Sequence, residues 1–122
     1  MALALDIMRG GFSSGSAKAI NGQVHPTVSA AGTVITDATD LRASINVVTT
    51  AVASSGVQLP NCEVGDEVEI LNLGANALTV YPDTSSNRIN NLAAASGFLL
   101  ATNTAVKLRK YTTTRWIGYL SA

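Results

Sequence analysis

Ionised side chains are scarce in this chain: they make up 13% of its 122 residues, eight basic against eight acidic. Ordinary soluble domains carry about 25%. The net charge is zero. Without a Lys/Arg stripe the chain lacks the electrostatic footprint of a phosphate track, so nucleic acid is not an expected partner. The densest basic stretch is Lys107-Leu108-Arg109-Lys110, with Arg115 after it. Strand alternation sends Lys107 and Arg109 to one face and Leu108 to the other, the pattern of a solvated strand face. A monomer also needs charge to stay dispersed. So little of it points to surface hidden in an oligomer, unless Ser, Thr and Asn do the solvating.

Reactive and metal-binding side chains are as rare. Cys62 is the one cysteine, which excludes an intrachain disulfide and a four-cysteine zinc site. His25 is the one histidine. It precedes Pro26 in a polar stretch, where a loop histidine reads as plain surface. Gly10 to Lys18, GGFSSGSAK, lacks the Gly-Lys-Ser/Thr ending of a phosphate loop. Asp83-x-Ser85-x-Asn87 starts like a calcium loop, but Arg88 replaces the sixth-position glycine and Ala94 the final glutamate. A turn, with Asp, Ser and Asn bonding their own backbone, accounts for it. Asp66, Glu67 and Glu69 read as another solvated face. No catalytic residue, metal ligand or cofactor is assigned.

Long apolar runs are missing too. None reaches the length of a membrane span. The opening MALALDIM is broken by Asp6 and preceded by no positive residue, so it does not read as a signal peptide, and no membrane partner is expected. Large rings are few: Phe12, Tyr81, Phe98, Tyr111, Trp116 and Tyr119. The apolar share is nonetheless 47%, much of it alanine and valine. Small side chains suit a tight repetitive interior or contacts between subunits.

What is present is a series of short β-prone runs. The length allows one domain. Residues 1–32 read as an extended N-terminal arm, with a flexible joint at Arg9 to Ser16. The arm either docks on a partner or lies as a first strand on its own sheet. Residues 33–122 read as a single β domain. Its candidate strands are Gly32 to Thr36, Ala43 to Ala53, Gly56 to Pro60, Glu67 to Leu73, Ala77 to Tyr81, Phe98 to Thr102, Ala105 to Thr113 and Arg115 to Leu120. Val68 and Ile70 point inward, Glu67 and Glu69 toward water. Gly74-Ala75-Asn76 between two strands is a hairpin signal. Asn91 to Ser96 allows one or two helical turns. Trp116 and Tyr119, at odd spacing, face opposite sides of a strand, with Trp116 the core residue. The predicted fold is all-β, a compact antiparallel sandwich or barrel-like domain.

The order Gly56-Val57-Gln58-Leu59-Pro60, Gly65 to Asn72, Gly74 to Pro82, Arg88-Ile89-Asn90 and Arg115 to Leu120 resembles a module of small tailed-phage virion proteins. These are head decoration (cement) proteins and pieces of head or tail fibres. The resemblance covers roughly residues 43–122. It implies a homotrimer whose partners are itself and the major capsid protein. Such a protein is made in the host cytoplasm and seated on the outer surface of the capsid at threefold positions, which it stabilises without turnover. The arm then offers Leu3, Leu5, Ile7, Met8 and Phe12 for docking on the capsid. A trimeric fibre or receptor-binding module is the competing reading, with Tyr81 and Tyr119 as exposed rings for a glycan.

Overall fold

The computed structural model describes residues 23–121. Among these there are ten strands and no helix, so the all-β expectation holds. The strands are β1 (Val24–Ser29), β2 (Thr39–Asp40), β3 (Ile45–Thr50), β4 (Gly56–Gln58), β5 (Glu67–Asn72), β6 (Leu78–Tyr81), β7 (Arg88–Ile89), β8 (Phe98–Leu100), β9 (Thr104–Thr112) and β10 (Arg115–Leu120). They form a six-stranded sheet in the order β1-β3-β5-β9-β10-β7 and a four-stranded sheet in the order β2-β4-β6-β8.

The connectivity departs from the antiparallel expectation. The chain visits the two sheets in alternation, so β1–β2, β3–β4 and β5–β6 are successive coils. β1 pairs β3 and β3 pairs β5, both parallel. β2, β4 and β6 stack the same way in the other sheet. This is a short β-solenoid of stacked coils. A parallel pair needs a crossover of a dozen or more residues, and here the crossover runs through the facing sheet. Between strands, antiparallel pairing enters where the solenoid is closed off, with β9 on β5, β10 on β9 and β8 on β6; a single antiparallel bridge also joins Ala31 to Gly56.

The link Gly74-Ala75-Asn76 is accordingly a corner and not a hairpin. The buried Asn72 holds it: its Nδ2 donates to the carbonyls of Asn76 at 3.0 Å and Leu100 at 3.1 Å. Its Oδ1 accepts from the Gly74 amide at 3.0 Å. Asn76 Nδ2 donates to the carbonyl of Ala51 in the coil before, at 3.0 Å. Side-chain amides supply here the partners that a ladder would otherwise give to the turning backbone.

Val24–Ser29, assigned from sequence to the arm, is the first strand and lies at a sheet edge. Pro26 sits in it because an edge strand spares one ladder donor, and the register shifts between His25 and Val28. Thr33 to Ala38 makes a turn where a strand was expected. Asp37 takes the amides of Thr33 and Val34 on its Oδ1, each at 2.9 Å. Asn91 to Ser96 forms two tight turns and not a helix, with Asn90 and Ala95 at positive φ.

The core lies between the sheets. Val28, Val48, Val68, Ile70, Val106, Leu108 and Trp116 come from the larger sheet, and Val57, Leu78, Val80 and Leu100 from the smaller. Along β5 burial alternates as predicted, with Val68 and Ile70 inside. Small β-branched residues fill this interior because the coils stack in register: Val28 pairs Val48, and Val57 pairs Val80.

Candidate functional site

The polar centre of the molecule forms where β6 ends. Pro82 has no N–H for the ladder, and the next residue, Asp83, turns its carboxylate inward, 1% exposed. Three side chains converge on it. Lys110 Nζ lies 2.7 Å from Oδ2, Trp116 Nε1 donates to Oδ1 at 2.9 Å, and Asn87 Nδ2 donates to Oδ1 at 2.6 Å. Lys110 also donates to the carbonyl of Cys62 at 3.0 Å, and its Nζ stands 5.9 Å from the centre of the Trp116 ring. Gln58 Nε2 holds the Asp83 carbonyl at 3.1 Å.

Each partner arrives by simple strand geometry. Val106, Leu108 and Lys110 alternate on β9, so Lys110 shares the inward face with two core residues. Trp116 on β10 sits opposite Lys110 in the register. The turn after Asp83 closes through the Asn87 amide on the Thr84 carbonyl. It then feeds Ile89 into β7 beside Trp116. The cluster therefore plugs the closed end of the solenoid.

Burial alone would raise the Asp83 carboxyl. The hydrogen bonds from Lys110, Asn87 and Trp116, with the Lys110 charge, outweigh it and hold the group below its ordinary value. Burial pushes the Cys62 thiol up, and the carboxylates of Asp66 and Asp83 push it further, against the pull of Lys110. Such a thiol is a poor nucleophile. Beside the cluster opens a pocket of about 320 Å³, lined by Asp40, Leu41, Arg42, Gln58, Leu59, Pro60, Asn61 and Asp83.

No family model, curated protein or solved structure matches this chain. The geometry alone therefore carries the functional argument.

The residues singled out from sequence are scattered. Tyr81 is buried, at 9% exposure. Parity does send its ring outward from β6, but the Ala31–Asp37 loop covers that face. The Tyr81 hydroxyl donates to the Thr33 carbonyl at 2.9 Å, and its ring lies where a Cβ on Gly56 would come within 2.7 Å. Tyr119 is exposed at 60% on β10 in the other sheet, so the two rings form no common surface. Trp116 is core, as expected. His25 lies exposed on the edge strand β1. Leu3, Leu5, Ile7, Met8 and Phe12 lie outside the described residues. On the outer face of the larger sheet Glu67 pairs with Arg109 and lies 3.9 Å from Lys107, so the solvated face is a cross-strand ion ladder.

From sequence, Asp83 and Asn87 read as turn residues and Lys110 as part of a basic run. One signal for Lys110 was available: it continues the two-residue spacing of Val106 and Leu108.

Proposed function

We propose that this chain is a bacteriophage capsid decoration protein. Three copies close around an axis and seat on the outer surface of the mature head at threefold positions, binding the major capsid protein and stabilising the shell without chemistry. One observation carries this reading: apolar side chains stand outside the core, with Leu99 at 68%, Val52 at 61% and Tyr119 at 60% exposure. A chain with 13% charged residues has little charge to keep such side chains in water. Threefold closure covers area that one small domain leaves bare, and three copies multiply weak contacts to the shell.

The buried polar cluster supports a structural role. The Asp83 carboxylate is saturated by donors of its own chain, which spends those groups on holding the fold. The competing glycan-adhesion reading loses a ring with the burial of Tyr81, leaving Tyr119 alone. Adding the protein back to stripped phage heads tests the proposal. Heads with it should withstand more heat than heads without it. Equal melting of the two would reject it.

A further inference from the structure

Lys110, Asn87 and Asp83 occupy one nearly dry site at the closed end of the solenoid. The Lys110 side chain is 7% exposed, that of Asp83 1%, and Asn87 as a residue 4%. A primary amine and a carboxamide are thus held on the two oxygens of one carboxylate, at 2.7 Å and 2.6 Å. We propose that this cluster is a self-modification site, in which Lys110 Nζ forms an amide bond with Cγ of Asn87 and ammonia is released.

The chemistry balances without a co-reactant. The ion pair is the ground state. Transfer of one proton along the short Lys110–Asp83 contact leaves a neutral amine beside a neutral acid, a minor state because the donors around Asp83 favour its carboxylate, though burial lowers its cost by discharging both partners. The amine lone pair attacks Asn87 Cγ, and the Nζ–Cγ bond forms. Asp83 passes its proton to Nδ2, and the Cγ–Nδ2 bond breaks. A second proton from Nζ accompanies the leaving nitrogen, which departs as ammonium. Asp83 returns to its carboxylate form, and nothing is oxidised or reduced.

Each neighbour has a part. The Cys62 carbonyl and Asp83 together aim the amine. Trp116 Nε1 fixes the carboxylate between its two partners and shields the site from water. The Asn87 side chain has one hydrogen bond among the described residues, to Asp83, which holds its carboxamide on the same carboxylate as the amine. Asp83 itself is the poorer acyl group, since three donors hold it ionised. Fixing the reactants in one chain supplies the effective concentration that makes an otherwise slow amide exchange feasible. The product would staple the connector between β6 and β7 to β9.

Intact mass and peptide mapping of the full chain, folded at 37 °C for several days, test this. The expected product is lighter than its sequence by one ammonia, about 17 Da. A branched peptide should join Asn87 to Lys110, with tryptic cleavage blocked at Lys110. Asn87→Ala and Lys110→Arg should keep their full mass, and Asp83→Ala should close at least tenfold more slowly. A wild-type chain of full mass would overturn the proposal. So would a loss that persists in Asn87→Ala, or a loss of about 18 Da, which assigns the bond to Asp83 instead. If a variant fails to fold, the wild-type peptide map decides by itself.

Discussion

Gly74 lies against Ala51 of the preceding coil so closely that a Cβ added at Gly74 would meet the Ala51 Cβ and amide nitrogen at 2.8 Å each. The contact is between two corners of the solenoid, one coil apart, and it fixes how near the coils approach. Gly74→Ala should therefore cost about 1–3 kcal/mol, the range for overfilling a tight interior. Urea unfolding measures it. An unchanged midpoint would mean that the corners do not stack as described.

Tyr81 should act as an anchor for the Ala31–Asp37 loop and not as a binding ring. Tyr81→Phe removes one hydrogen bond, to the Thr33 carbonyl, and should cost about 1 kcal/mol. Tyr81→Ala empties a buried site and should cost about 3–5 kcal/mol. Two chemical denaturation curves decide. A neutral Tyr81→Ala would restore the exposed ring expected from sequence.

The faces of the strands were legible, and their neighbours were not. Glu67-Val68-Glu69-Ile70 told which side chains lie inside, because the pleat alternates whatever the pairing. It could not tell that β5 has a parallel partner on one side and an antiparallel one on the other. Gly74-Ala75-Asn76 has hairpin composition, yet the amides of Asn72 and Asn76 turn it into a corner. That difference lies in side-chain bonds to residues far along the chain. Tyr81 was misplaced because strand parity says nothing of a loop laid over the outer face. The polar cluster was hidden for a related reason. A lysine in a basic run reads as solvated until its partner is known, and Asp83 is 27 residues away.

Ala95 sits at φ +63°, a left-handed conformation that costs an L-residue roughly 1–2 kcal/mol. Glycine relieves that strain and gives back part of the gain through its freer unfolded chain. Ala95→Gly should therefore stabilise the protein by about 0.5–1 kcal/mol. A raised Tm checks it, and a lowered one would show that the Ala95 methyl does more by side-chain contact than its backbone costs.

The pH response of Asp83 is best read in Asn87→Ala, which keeps the Lys110–Asp83 pair and cannot form the amide. The folded Asp83 carboxyl is held below its ordinary value. Its contribution is thus complete above the unfolded value of about 3.9 and drains away as pH falls through the lower folded value. At neutral pH, adding Asp83→Asn should cost about 3–5 kcal/mol, since it strands a buried ammonium. That gap should narrow as the solution is acidified below about pH 4. A gap that widens on acidification would reverse the sign assigned to Asp83.

The proposed role on a capsid requires that copies of the chain cover one another's exposed apolar residues. Light scattering at micromolar concentration measures this most directly. The account predicts a particle of three times the 12.6 kDa chain mass. A particle of 12.6 kDa, persisting as concentration rises, would contradict it.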